Sequence, residues 1–346
     1  MVFIIFVDKF FWSLDSAMGT PATEFLATQF RHPEWFGSTF YDIIMPLFLF
    51  VVGAVIPYSL SEKVQKRTSK FKIHLKLVRR LVILFILGWI VQGNLLAWDL
   101  DNFHVFSNTL QAIAVGYFFT SLAFLYLNKK WRYALFVFCL VAYALLLTVP
   151  IVPGIGGSVL LPNKNYGIYF DRLILGRFQD GTQYVWLLSS LGFIATTLSG
   201  LFAGELIKSN KERNKVGLFL LLLGVVLLVV GIVWANWHPI VKRLWNSTFV
   251  LFTSGICFII LALFYWVIDI KGYKNWIFPF KVIGMNAITA YVLSLVFDFS
   301  QISNYLLYGF EQYLREYYQL LINTAGFGVL YLLLWYMYKN KTFIKV

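Results

Sequence analysis

Charged side chains are scarce in this sequence: they make up 13% of its 346 residues, whereas hydrophobic residues make up 60%. A soluble protein has roughly 25% charged residues. The apolar residues occur in repeated runs of about 20, the length at which an α-helix crosses the hydrocarbon core of a bilayer. These features exclude an ordinary soluble domain and predict an all-α, polytopic helical membrane protein.

Cysteine is almost absent, with only Cys139 and Cys257, and both lie inside apolar runs. Two thiols in such positions predict buried membrane residues and cannot build a disulfide framework or a metal site. The sequence also lacks a Walker loop, a GxSxG motif and a metal-spaced His/Cys cluster, so we expect no bound metal. No Pro/Ser-rich or low-complexity linker interrupts the chain. Residues 1–346 are therefore predicted to form a single transmembrane domain.

The apolar runs predict about ten transmembrane helices. The first, Val2–Leu14, is too short for a complete span, and we interpret it as a span whose beginning is missing. The others are expected at about 39–61, 77–93, 108–127, 133–150, 186–207, 216–235, 248–268, 277–298 and 320–338. Segment 303–318 interleaves aromatic and charged residues, a pattern typical of a helix lying at the membrane interface.

Lysine and arginine are distributed unevenly between the predicted loops. With ten spans, most of the 29 basic residues fall on one side, which the positive-inside rule assigns to the cytoplasm. Both termini are then cytoplasmic, and the loop that contains His32 faces outward. The net charge of +13 is thus explained by topology, and nucleic acid is not an expected partner.

One stretch combines a histidine with an acidic residue at the start of a span. His32 lies in a polar segment, and Asp42 follows ten residues later, about one turn inside the apolar run. A carboxylate in a span should face the bundle interior or a polar cavity. There Asp42 can hold His32 in one tautomer and stabilise its protonated form, as in other acid–base sites. Asp8, near the outer end of the first span, can join this pair.

Two further residues are candidates for substrate binding. Asn286 lies in the middle of a predicted span and needs a partner, which is either a substrate or another helix. Trp35 is expected at the outer surface, where it either stacks on a sugar or belongs to the interfacial aromatic belt. The pattern Gly200-Leu-Phe-Ala-Gly204 predicts close helix packing.

The segment His32-Pro-Glu-Trp35-x-Gly37…Asp42-x-x-x-Pro46-x-Phe48-x-Phe50-x-x-Gly53 resembles the motif of the transmembrane acyltransferase family that includes lysosomal heparan-alpha-glucosaminide N-acetyltransferase and bacterial relatives with an uncharacterised domain. The resemblance covers nearly the whole chain. Three further segments carry it: 108–117, 244–255 and 284–291. Ala112 is a departure, since many relatives have a basic residue at this position.

The resemblance implies a membrane-embedded acyltransferase. The enzyme would move an acetyl group from cytoplasmic acetyl-CoA, its co-substrate, to the amine of a glucosamine, or to another sugar or glycan, on the outer side of the membrane. It implies His32 as the active histidine and Asp42 as the nearby acidic residue. A bacterial member would lie in the inner (plasma) membrane in contact with lipid, and a homodimer is implied as well. Attack assisted by His32 as general base and an acetyl-histidine intermediate both remain open.

Two other functions fit the sequence. One is a transporter or flippase of a glycan or lipid precursor, for which broken helices or inverted repeats would be the signature. The other is a non-catalytic member of the family. Release of free CoA thiol distinguishes the enzyme from both alternatives.

Overall fold

The computed structural model describes residues 1–65, 69–157 and 159–344, and it is helical almost throughout. The all-α, polytopic membrane class is therefore confirmed. The helices are α1 Asp8–Met18, α2 Pro21–Gln29, α3 Ile44–Gln65, α4 Lys70–Val91, α5 Thr109–Tyr126, α6 Lys129–Thr148, α7 Tyr166–Leu175, α8 Ser190–Ile207, α9 Arg213–Trp234, α10 Ser247–Tyr265, α11 Phe278–Met285, α12 Ala287–Val296, α13 Phe299–Leu307, α14 Glu311–Leu314 and α15 Tyr318–Lys339. A small antiparallel hairpin pairs β1 (Ile151–Val152) with β2 (Gly156–Gly157).

The chain divides into two compact units. The terminal unit comprises Met1–Pro33, Thr39–Ile44 and the chain from Tyr273 onward; the central unit comprises Glu34–Ser38 and Met45–Gly272. The prediction of a single domain stays a prediction.

Seven helices in the described part of the chain are long and apolar enough to cross a membrane, or up to eight if one bent pair counts as a span. The predicted span 77–93 corresponds to α4, whose first half is too basic to meet this criterion. The predicted first span consists of a π-helical turn, Phe3–Val7, followed by α1. The count of ten spans and the cytoplasmic location of both termini stay predictions.

Close packing of α3 against α8 organises the central unit. A Cβ atom built on Gly200 would lie 1.9 Å from the carbonyl oxygen of Phe50, and one on Gly204 would lie 2.1 Å from that of Ala54. Gly53 makes the reciprocal approach, since its Cβ would lie 1.9 Å from the carbonyl oxygen of Thr197. Such contacts leave no room for a side chain, so the packing predicted from the GxxxG pattern is confirmed.

The outer surface of α9 shows why this fold requires lipid. The helix has a mean hydropathy of 3.2 over its most apolar window, and only 22% of that window is buried. Its exposed side chains include Leu222, Val226, Val229 and Ile232. Such a surface is unfavourable in water but matches the hydrocarbon of a bilayer.

The terminal unit has its own apolar core, formed by Ile5, Val282, Ile283, Ala290, Leu330 and Leu334. Helices α11 and α12 lie within one predicted span, but the chain bends by 65° between them at Asn286. The segment 303–318 is divided among α13, α14 and short 3₁₀ turns rather than forming one continuous helix. Its location at the membrane interface stays a prediction.

Candidate functional site

The candidate site lies in the terminal unit, at the start of the helical segment that leads into α3. Thr39 has an extended backbone and precedes a 3₁₀ turn, Phe40–Ile43, that continues into α3. Asp42 is the third residue of that turn, and its Oδ2 accepts a hydrogen bond from the backbone N–H of Thr39 at 3.0 Å. The Asp42 carboxylate thus provides an acceptor for the Thr39 N–H, which has no backbone acceptor within the helical turn because it lies at its start. The same turn fixes the position of the Asp42 carboxylate.

The second oxygen of this carboxylate contacts the histidine. Oδ1 of Asp42 lies 2.6 Å from Nδ1 of His32, and the Asp42 side chain is completely buried, whereas that of His32 is 36% exposed. When Nδ1 carries the proton and donates it to the carboxylate, Nε2 is the basic nitrogen of the neutral ring. The structure thus brings His32 and Asp42 together as an acid–base pair. Their catalytic roles stay predictions.

Tyr41 connects Asp8 to this pair. The hydroxyl of Tyr41 donates a hydrogen bond to Oδ2 of Asp8 at 3.1 Å, and the rings of Tyr41 and His32 lie 5.0 Å apart between centroids. The other oxygen of Asp8 accepts the backbone N–H of Lys9 at 2.7 Å. Asp8 is 5% exposed, so a second buried carboxylate lies close to the candidate histidine.

Trp35 belongs to the central unit and is 7% exposed. Its indole N–H donates to the carbonyl oxygen of Leu160 at 2.7 Å, and the guanidinium of Arg243 lies 5.9 Å from its ring. The N–H of Gly37 in turn donates to the carbonyl oxygen of Ile240 at 2.9 Å. Trp35 therefore anchors the segment that follows His32, and its buried ring presents little surface for stacking on a sugar.

Asn286 is engaged by the C-terminal segment. Its amide donates to the carbonyl oxygen of Thr342 at 3.2 Å and accepts the N–H of Ile344 at 3.2 Å. The side chain is 1% exposed. Asn286 thus binds backbone at the break between α11 and α12, which is a structural use of a buried amide. Substrate binding by Asn286 stays a prediction without a supporting contact.

Cys139 and Cys257 are free, buried thiols, as predicted. No group of three or more His, Cys, Asp or Glu in residues 1–65, 69–157 and 159–344 has a geometry that could hold a metal ion. The side chains that lie together at the candidate site are the imidazole of His32, the carboxylates of Asp42 and Asp8, and the phenol of Tyr41.

Sequence reasoning missed two members of the site, Thr39 and Tyr41. Thr39 was recognisable, because a Thr with an acidic residue three positions later before an apolar run is the signature of a capping box. Tyr41 had no such signal. Its contact with Asp8 joins residues 33 positions apart, and no local pattern predicts such a pairing.

Comparison with known proteins agrees with the motifs. Residues 11–164 match the model of a domain of unknown function, DUF5009. The chain is 28% identical to the heparan-alpha-glucosaminide N-acetyltransferase of Mus musculus and 27% identical to that of Homo sapiens; each alignment covers 92% of this chain and 56% of the relative. The chain thus spans little more than half the length of these relatives. Over nearly all of its own length, the chain is similar to the heparan-alpha-glucosaminide N-acetyltransferases of mouse and human.

Proposed function

We propose that the protein is a membrane-embedded acyltransferase that moves an acetyl group from cytoplasmic acetyl-CoA to an amino sugar or glycan on the outer side of the membrane. The observation that carries the proposal is the contact between His32 and the fully buried Asp42 at the start of a candidate span. The homology supports the same class of reaction. The inner (plasma) membrane as its location and a homodimer as its assembly belong to this proposal.

In the proposed reaction, a neutral acceptor amine attacks the carbonyl carbon of the thioester. Nε2 of His32 accepts the proton that the amine loses, and the buried carboxylate of Asp42 stabilises the imidazolium that forms. The carbon–sulfur bond then breaks, and the thiolate of CoA takes the proton from His32. The products are an amide and free CoA thiol. In the covalent variant, Nε2 of His32 attacks the thioester first, and CoA leaves as the thiolate. The acceptor amine then displaces the imidazole from the acetyl-histidine, and the proton that the amine loses neutralises the thiolate.

We assign Asp8 to the acceptor side of the reaction. Its carboxylate is buried and lies one hydrogen bond from Tyr41, whose ring is beside His32. A carboxylate at this position favours a protonated amine over a neutral hydroxyl, because the charge attraction is stronger in a poorly solvated site. The amine must still lose its proton before it attacks.

The test is acetyl-CoA turnover by purified protein in lipid, measured as thiol release with a panel of amino sugars. Wild type should release CoA with at least one acceptor, and His32→Ala should not. His104→Ala is the matched control, because this histidine lies in a loop outside the candidate site and should be dispensable. Equal activity of wild type and His32→Ala would refute the proposed role of His32. Exchange of labelled CoA into acetyl-CoA without acceptor would select the covalent route.

A transporter is the second candidate function, and the break between α11 and α12 is the observation that favours it. Discontinuous helices are typical of transporter binding sites, and the 65° bend at Asn286 has this character. Flux of an unmodified sugar across sealed vesicles, without thiol release, would favour transport. Absence of both activities would leave a non-catalytic member of the family.

A further inference from the structure

A groove in the central unit is lined by α5, α6 and α8. Its volume is about 300 Å³, at the lower end of the range for ligand sites. Phe119 on α5 and Phe138 on α6 line it and are exposed, whereas Ala123 and Cys139 line it and are buried. The groove therefore has a buried floor and exposed aromatic edges, and it opens on the surface of the helical bundle.

The lining of this groove is apolar. Its side chains are hydrocarbon, aromatic rings and one thiol, and the only hydroxyl among them belongs to Tyr126. That hydroxyl is hydrogen-bonded to Nε2 of His74 at 2.8 Å. A ligand with polar groups along its length would lose hydrogen bonds to water here and find few replacements. Because α5, α6 and α8 are all candidate spans, the ligand that suits the groove is a hydrocarbon chain from the bilayer.

The depth of the groove matches one leaflet of a membrane. Helix α6 begins at Lys129, and Cys139, the deepest residue of α6 in the groove, follows ten residues later. At the rise of an α-helix, the two residues lie about 15 Å apart along the axis. The hydrocarbon core of a bilayer is about 30 Å thick, so one leaflet contributes about half of it. An acyl chain of a single leaflet therefore has the right length.

Positive charges lie next to one end of the groove. Leu127 lines the groove, and the exposed Lys129 and Lys130 follow it by two and three positions. Neither lysine takes part in an ion pair within the part of the chain that the structure describes. Trp131, which is 64% exposed, follows them and is of a type enriched at membrane interfaces. In the predicted orientation this end is cytoplasmic, the side on which anionic lipids attract basic residues.

We propose that the groove binds one acyl chain of an anionic phospholipid of the cytoplasmic leaflet, with the lipid phosphate at Lys129 and Lys130. An amphiphile with a negative head and an apolar tail matches the charge at one end and the apolar lining along the rest. A helix of a second protein is too large to enter, since 15 Å of helix occupies roughly 1,200 Å³. The inference does not depend on the proposed function.

A bound lipid of this kind would stabilise the folded bundle. The groove is built from three separate helices, so only the folded chain forms it, and a ligand that binds only the folded chain raises the melting temperature. Phosphatidylglycerol should therefore raise the melting temperature of the protein in neutral detergent more than phosphatidylcholine with the same acyl chains. The difference isolates the contribution of the negative headgroup.

The experiment titrates phosphatidylglycerol or phosphatidylcholine into purified protein and counts the retained lipids by native mass spectrometry. Wild type should retain one phosphatidylglycerol per chain. The double variant Lys129→Gln/Lys130→Gln should weaken its binding about 30-fold and leave phosphatidylcholine binding unchanged. Lys211→Gln/Lys215→Gln is the matched control. It removes the same charge from another loop predicted to be cytoplasmic, and its affinity should stay within about 3-fold of wild type.

A second variant tests the position of the acyl chain. Leu135 is a half-buried residue of the groove, and Leu135→Trp should fill the space and weaken the binding of both lipids about 10-fold or more. Val137→Trp is its control, because Val137 is exposed on the same helix and does not line the groove. It should bind both lipids like wild type.

Three results would overturn the proposal. Unchanged phosphatidylglycerol affinity in Lys129→Gln/Lys130→Gln would show that the headgroup does not lie at these lysines. Unchanged affinity for both lipids in a folded Leu135→Trp protein would place the acyl chain elsewhere. Conversion of a dimer to a monomer by Leu135→Trp, without a change in lipid binding, would assign the groove to contact between two copies of the chain. If Leu135→Trp does not fold, the lysine variants still decide.

Discussion

Replacement of Asp42 by asparagine is the sharpest test of the candidate site. The change keeps the size of the side chain and an oxygen for the Thr39 N–H, but it removes the negative charge that lies 2.6 Å from Nδ1 of His32. An amide N–H turned toward Nδ1 makes that nitrogen an acceptor, so the ring proton moves to Nε2 and the basic nitrogen is lost. The imidazolium also loses its buried counter-charge.

The expected effect follows from the equivalent change in a Ser-His-Asp triad, in which the wrong tautomer lowers kcat about 10⁴-fold. We expect a loss of about 10³- to 10⁴-fold in thiol release by Asp42→Asn, equivalent to about 4–5.5 kcal/mol. Stability should change by less than about 1 kcal/mol, because asparagine can still accept the Thr39 N–H. The assay is thiol release at saturating acetyl-CoA, with the melting temperature as a check of folding.

Asp15→Asn is the matched control, since Asp15 accepts the Thr23 hydroxyl at 3.0 Å in the same unit without contacting the candidate histidine. It should retain wild-type turnover. An Asp42→Asn protein that folds normally and keeps more than about a tenth of wild-type kcat would refute the tautomer argument.

Three further predictions concern the scaffold. Gly200→Ala should lower the free energy of unfolding by at least about 2 kcal/mol, because its Cβ would overlap the Phe50 carbonyl. Gly157→Ala is the control and should be tolerated, because no atom lies within 4 Å of the Cβ it would add. Thermal unfolding in detergent measures both variants. Burial raises the pKa of Asp171 to about 7, despite hydrogen bonds from the backbone N–H groups of Trp186 and Leu187. The folded-state pKa of Asp171 therefore lies above its pKa in the unfolded chain. As a result, the contribution of Asp171 to stability should fall as the pH rises from about 4 to 7 and stay constant above pH 7. The difference between the melting temperatures of wild type and Asp171→Asn, measured across this pH range, tests this expectation. Asn286→Ala should cost about 1–3 kcal/mol and increase proteolysis of the segment around Thr342, because two hydrogen bonds are lost, whereas the exposed Asn340→Ala should have little effect.

Sequence reasoning identified the pair at the site because its signal is local. His32 precedes an apolar run, and a carboxylate one turn inside such a run must face something polar. The helix-packing role of Gly200 and Gly204 was predictable for a similar reason, since their four-residue spacing marks one helix face.

What the sequence could not provide are the partners that come from distant segments. Arg80 was interpreted as one of many topology-determining cations, and only its position over Tyr117 distinguishes it from Arg79. Asn286 was expected to need a partner, but the C-terminal backbone supplies it from 56 and 58 residues away. Trp35 was expected at the outer surface as a sugar-stacking or interfacial residue, but its indole N–H donates to the Leu160 carbonyl and its ring is buried. Such pairings depend on tertiary packing, which local patterns do not encode.

The two oxygens of Asp42 serve two different parts of the molecule. Oδ2 accepts a hydrogen bond from the Thr39 N–H at the beginning of a helical turn, and Oδ1 is hydrogen-bonded to the imidazole of His32. Fraying of that single turn would therefore release the histidine at the same moment, without any change in the rest of the bundle. A molecule that loses its activity on mild heating could thus still be almost completely folded, and inactivation would report the opening of one turn rather than the melting of the protein.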